Sequence, residues 1–137
     1  MSKVTPFSIL KSITLASSLF ISAVLASEIP EISQQAFLSA VKAPSNSIVL
    51  LDVRSPAEYN EGHIAGAINI SHNTIEENLP QLAQYKNSNV VVYCRSGRRA
   101  AFAEEILSAN GFTNLKHLTG DMNGWLEAKL PVVTQQP

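Results

Sequence analysis

Asn89 to Leu107 reads NVVVYCRSGRRAAFAEEIL, and two different periodicities meet inside it. Asn89 to Tyr93 is an apolar run of the length and composition of a buried strand. From Arg98 to Asn110 the apolar residues Ala101, Ala103, Ile106 and Leu107 recur at helical spacing, and Gly111 is well placed to end the helix. The corner between them holds the chain's only cysteine, Cys94, followed by Arg95, Ser96, Gly97, Arg98 and Arg99.

The same alternation runs outward from this unit. Ile48 to Val53, IVLLDV, is apolar except for Asp52, which suits a strand covered on both faces of a parallel sheet. Ser55 then reads as a helix cap, Pro56 as a first helical residue, and Glu58 as the partner that completes a capping box. Ala67 to Ile70 predicts a short strand, and Asn73 or Thr74 opens a helix to about Gln84. Upstream, Ser33 caps a helix to Lys42 with Phe37, Leu38 and Val41 on its apolar stripe. Downstream, Leu115 to Leu118 predicts a last strand, Gly120 to Gly124 a turn, and Trp125 to Ala128 a helical turn. Strands alternating with helices predict an α/β fold: a central, mostly parallel sheet flanked by helices on both faces. Neither repeats nor linkers interrupt residues 28–133, so they read as one domain.

At 137 residues, 45% hydrophobic and 15% charged, the composition is that of a globular protein. A net charge of -1 offers no long basic face, so a nucleic-acid partner is not expected. Residues 1–26 read as a signal peptide: Lys3 and Lys11 precede the uncharged run Ile13 to Ala26, which ends in small residues. That run is shorter than the roughly 20 residues that span a bilayer. Export, to a periplasmic-type compartment, is therefore expected, with no stable membrane insertion after cleavage. Nothing in the residues reports an oligomeric state, and a monomer is the default expectation. A lone cysteine in an exported chain has no partner within it, so the thiol is a candidate for chemistry rather than for cross-linking.

Everything around Cys94 favours a thiolate. Gly97 allows a tight turn, the following helix start carries partial positive charge, and successive loop amides can form an anion-holding nest. Three arginines add to that potential. A thiolate in an anion cradle suits two chemistries. Phosphatases of this kind space their arginine as C-x5-R, but the sixth position after Cys94 is Ala100, which argues against a phosphatase or arsenate reductase. Sulfur transfer is the other.

At this point the chain resembles the rhodanese family of sulfurtransferases. CRSGRR, Cys94 to Arg99, is similar to that family's active-site loop, with Cys94, Gly97 and Arg99 matching C-x-x-G-x-R. LDVRSPAEYNEGHIAGAINI, Leu51 to Ile70, resembles a second family signature. LTGDMNGW, Leu118 to Trp125, resembles a third, G-G-x-x-x-W, although Asp121 stands where a second glycine is usual. The resemblance implies a ping-pong sulfurtransferase. Cys94 would take the outer sulfur of thiosulfate or a similar small donor as a persulfide, and a thiol or cyanide would accept it. Arg95 to Arg99 would cradle the anionic species, with Arg98 and Arg99 as equal candidates to meet a sulfonate. A non-catalytic carrier of sulfane sulfur is the alternative that the same residues allow.

The remaining candidates read more plainly. Asp52 and Arg54 are expected to form a structural network at a strand end, with each other or with Glu58, and His63 to pack within its turn. His72 and His117 have no chemical company in the sequence. One cysteine and three scattered histidines make no zinc pattern, and no metal or other cofactor is expected. Glu104 and Glu105 are expected on the solvated side of their helix. Tyr93, one residue before the cysteine, should face the opposite side of the sheet.

Overall fold

The computed structural model describes residues 28–45 and 47–134, so the expected signal segment, residues 1–26, lies outside the described residues. In chain order the elements are β1 (Glu31–Ile32), α1 (Gln34–Lys42), β2 (Ile48–Asp52), α2 (Pro56–Glu61), β3 (Ile68–Asn69), α3 (Ile75–Leu82), β4 (Asn89–Tyr93), α4 (Arg98–Ala109), β5 (Leu115–Leu118) and α5 (Asp121–Glu127). The strands form one five-stranded sheet in the order β1-β5-β4-β2-β3. Every pairing in it is parallel. Among the described residues, no helix is long and apolar enough to cross a membrane.

The period of β4 explains the two layers. Val90, Val92 and Cys94 turn to one face, where they join Leu51, Ile75, Ala100, Ala103 and Leu107 beneath α3 and α4. Val91 and Tyr93 turn to the other face and meet Phe37, Leu118, Met122 and Trp125 from α1, β5 and α5. Helices therefore cover both faces, as the near-continuous apolar strands require. Trp125 is a core residue: its ring meets Phe37 edge-on, with centroids 6.1 Å apart. Its Nε1–H donates to the Pro131 carbonyl at 2.9 Å.

Local chemistry sets the helix starts. Ser33 Oγ accepts the Ala36 amide at 3.1 Å. Ser55 accepts the Glu58 amide at 3.3 Å while Glu58 Oε2 accepts the Ser55 amide at 3.0 Å, a complete capping box. Three elements depart from expectation. Strand β1 is two residues paired with β5 (Glu31 opposite His117, Ile32 opposite Leu118), too short for a pattern. Helix α3 is shorter than expected, with single 3-10 turns at His72–Thr74 and Ala83–Tyr85 on either side. Finally, the segment read as a turn at Gly120 to Gly124 is already helical from Asp121. The Met122 and Asn123 amides donate to the Cys94 and Arg95 carbonyls, each at 3.0 Å, which fastens the first turn of α5 to the loop after β4.

The order of strands reverses between β2 and β4. Both carboxyl ends open at that switch point, where open α/β sheets place their ligands.

Candidate active site

Cys94 directly follows the last residue of β4 and is 1% exposed, so the thiol is sheltered beneath the loop. Its Sγ accepts the Gly97 amide at 3.0 Å. That contact needs the chain to double back within three residues, which it does with Gly97 at φ 110°. A side chain at Gly97 would be strained there, and its Cβ would meet Asp121 Oδ2 at 3.2 Å. Helix α4 starts one residue later, and the first-turn amides of a helix have no acceptor within it. The sulfur thus sits at the head of a helix with an amide already aimed at it, an arrangement that suits a negatively charged sulfur.

The arginines divide into different roles. Arg99 donates from Nη1 to Glu58 Oε2 at 2.7 Å and from Nη2 to Glu58 Oε1 at 2.9 Å, a two-pronged pair. These bonds hold the Glu58 carboxyl far below the usual carboxylate range. They also hold Arg99 more firmly protonated than usual, with a smaller contribution from the Cys94 sulfur. Arg99 therefore ties the loop to the capping box of α2. Arg95 is exposed, its Nε 3.7 Å from Glu58 Oε1. Ser96 and Arg98 are exposed, and Arg98 makes no ion pair among the described residues. The equivalence of Arg98 and Arg99 in the sequence is thus broken by Glu58.

Asp52 and Arg54 lie beneath this loop rather than in it. Arg54 Nη2 donates to Asp52 Oδ2 at 2.6 Å and to the Gly62 carbonyl at 2.8 Å. The Tyr93 hydroxyl donates to Asp52 Oδ2 at 2.7 Å, and burial followed by that carboxylate pushes the phenol well above its usual range. All three side chains are buried and mutually satisfied, so the network fixes the carboxyl ends of β2 and β4 relative to each other. His63 is also buried, stacked on Tyr59 with ring centroids 3.6 Å apart and its Nδ1 2.8 Å from the Tyr59 carbonyl.

Two expectations about the other flank are overturned. Glu104 is buried at 4% exposure rather than solvated, because it shares the inward face of α4 with Ala100, Ala103 and Leu107. His117 has company: its Nδ1 lies 2.7 Å from Glu104 Oε1 and its Nε2 3.0 Å from Asp121 Oδ2. Held between two carboxylates, first by Asp121 and then by Glu104, the imidazole is pushed up to about 10 and is cationic at neutral pH. Asp121 also accepts the Cys94 amide on Oδ1 at 2.9 Å. It adopts φ 52°, a left-handed conformation that aspartate tolerates better than most side chains. The residue standing at a glycine position of the third motif is therefore a clamp on the cysteine backbone. Its signal was in the sequence, as the one departure from the family pattern.

Known proteins resemble this chain over most of its described length. The sequence profile of the rhodanese-like domain matches residues 34–128. The thiosulfate sulfurtransferase PspE of Escherichia coli is 40% identical over 70 residues, covering 51% of this chain and 67% of that protein. A putative sulfur carrier protein of Bacillus subtilis, YrkF, is 34% identical over 100 residues, covering 73% of this chain and about half (52%) of that one. Among solved structures, a rhodanese-related protein from Thermoplasma volcanium superposes with a TM-score of 0.67 at 32% identity, over 77% of this chain and 99% of the other. The match spans β2, the capping box of α2, the cysteine loop and all of α5, so the chain belongs to the rhodanese-like domain family.

Proposed function

We propose that the protein is a sulfurtransferase that moves sulfane sulfur from thiosulfate, or a similar anionic donor, to a thiol or cyanide through a persulfide on Cys94. The observation that carries this reading is the Cys94 sulfur accepting the Gly97 amide at the head of α4. In the first half-reaction the thiolate attacks the outer sulfur of thiosulfate. The donor's S–S bond breaks, sulfite leaves with the electron pair, and Cys94 keeps one sulfur as a persulfide anion. In the second, an acceptor nucleophile attacks that terminal sulfur, and the Cys94 thiolate departs unchanged. Both enzyme states and the donor are anionic, so the same amide and helix head that favour the thiolate also favour the persulfide. Burial of Cys94 shields the sulfur from the stepwise oxidation that threatens a reactive thiol.

The carrier reading requires the same persulfide and differs in turnover. Steady-state formation of thiocyanate from thiosulfate and cyanide separates the two: repeated turnover per Cys94 supports the enzyme, and a single stoichiometric discharge supports the carrier. We further propose that the chain acts after export, on the strength of the Lys3, Lys11 and Ile13 to Ala26 pattern. Secretion with loss of residues 1–26, read by N-terminal sequencing of the exported protein, is the expected result.

A further inference from the structure

Beside the loop, a cavity of about 440 Å³ opens between α4 and the segment from His72 to Glu76. One wall is a ridge on α4: Arg98, Phe102 and Ile106 follow one another at four-residue spacing and so share a helix face. Phe102 is 51% exposed, a large apolar side chain left open within a turn of the loop. The His72 ring meets it edge-on with centroids 6.0 Å apart, forming the opposite wall. At the loop end stands Arg98, without an ion pair among the described residues, beside Arg99, which borders both the cavity and the Cys94 sulfur. Glu76 is the one carboxylate on the wall, which disfavours a second negative charge on whatever occupies the interior. The opposite flank of α4 carries a wider groove lined by five carboxylates, Glu28, Glu31, Glu104, Glu105 and Asp121, against the single His117 imidazolium. An anion is repelled there and attracted on the Arg98 side.

We propose that this cavity is the acceptor subsite, and that it takes a small organic thiol with its anionic end at Arg98 and an apolar or aromatic body against Phe102 and Ile106. The proposal rests on the sulfur-transfer reading and names the class of acceptor for it. Seated so, the acceptor thiolate attacks the terminal sulfur of the Cys94 persulfide. The S–S bond breaks, the Cys94 sulfur retains the electron pair, and the organic persulfide leaves. Cyanide, which has no body, gains nothing from the cavity.

The test isolates the second half-reaction. Purified protein is loaded with thiosulfate, excess donor is removed, and loss of the persulfide is followed by intact mass. Three acceptors are compared: cyanide, 2-mercaptopropionate, and 2-mercapto-3-phenylpropionate. The two thiols share a carboxylate and differ by one phenyl group. The phenyl compound is expected to discharge the persulfide about tenfold faster than the methyl compound, the size of one well-placed aromatic contact. Phe102→Ala should bring the two thiols to parity and leave cyanide discharge unchanged, and Phe102→Tyr should restore the preference. Phe102 is half exposed, so its truncation leaves the core untouched. Equal discharge by the two thiols from loaded wild-type protein, or a preference that survives Phe102→Ala, overturns the subsite while leaving sulfur transfer standing. Failure to load sulfur from thiosulfate or from any other sulfane-sulfur donor overturns the reading beneath it.

Discussion

The two flanks of α4 are chemically unlike although they border the same six-residue loop. On one side Arg98, Phe102 and Ile106 leave a cation and an aromatic ring open at the cavity wall. On the other, Glu104, His117 and Asp121 are mutually bonded and largely buried, and Asp121 reaches up to hold the Cys94 amide. One flank leaves its charged and aromatic groups open, and the other satisfies its groups within the protein. Such asymmetry is the ground for the proposal of substrate contact on the first, and it fits loop fixation on the second. A loop that must cradle an anionic sulfur needs both: donors already in place, and an anchor that keeps them there.

The largest effect that tests this division is at the sulfur itself. Cys94→Ser changes one buried atom, and sulfur transfer should fall below detection while the circular dichroism spectrum and melting temperature stay close to wild type. Retained turnover would remove the persulfide mechanism.

Next comes the tie between loop and capping box. Glu58→Gln takes the charge from a two-pronged, partly buried pair with Arg99, and should cost about 1–2 kcal/mol in urea unfolding. Turnover should fall more than stability alone explains, because Arg99 is then free to leave the loop. If turnover is unaffected, the tie does not position the loop.

The finished flank gives a pH signature. His117 titrates at about 10 in the folded protein against about 6.5 in the unfolded chain, so its stabilisation is fully present below pH 6.5 and is lost as pH rises to 10. Melting temperature should therefore fall across that interval. Asp121→Gly keeps a residue at ease with the φ of 52°, and removes one of the two carboxylates that hold the imidazolium. The decline should then end at lower pH, with turnover reduced several-fold because the Cys94 amide loses its acceptor. An identical pH profile would separate Asp121 from His117. The smallest effect belongs to Arg95: exposed and 3.7 Å from Glu58, its change to alanine should shift stability by less than about 0.5 kcal/mol.

The contrast between the flanks also explains what could be read from the sequence. The strands β2, β4 and β5 and the helices α1, α2 and α4 were legible because each carries its own signal, an apolar run or a cap. Cys94, Gly97 and the arginines were legible as a site because they are neighbours in the chain. The cluster of Glu104, His117 and Asp121 was not, because three elements bring it together: His117 and Asp121 are only four residues apart, but one lies in a strand and the other starts a helix, and Glu104 comes from α4. Glu104 did leave a trace: it shares the α4 face of Ala100, Ala103 and Leu107, a position where a solvated carboxylate does not belong. The start of α5 was hidden by Gly120 and Gly124, which read as a turn. Its first turn is held by the Cys94 and Arg95 carbonyls, a contact that local propensity does not contain.

The most direct measurement is the intact mass of the purified protein before thiosulfate, after it, and after cyanide. The account predicts a gain of about 32 Da, one sulfur atom, located on Cys94 and removed by cyanide with release of thiocyanate. A protein whose Cys94 is a free thiol and whose mass does not change with thiosulfate or any other sulfane-sulfur donor would contradict it.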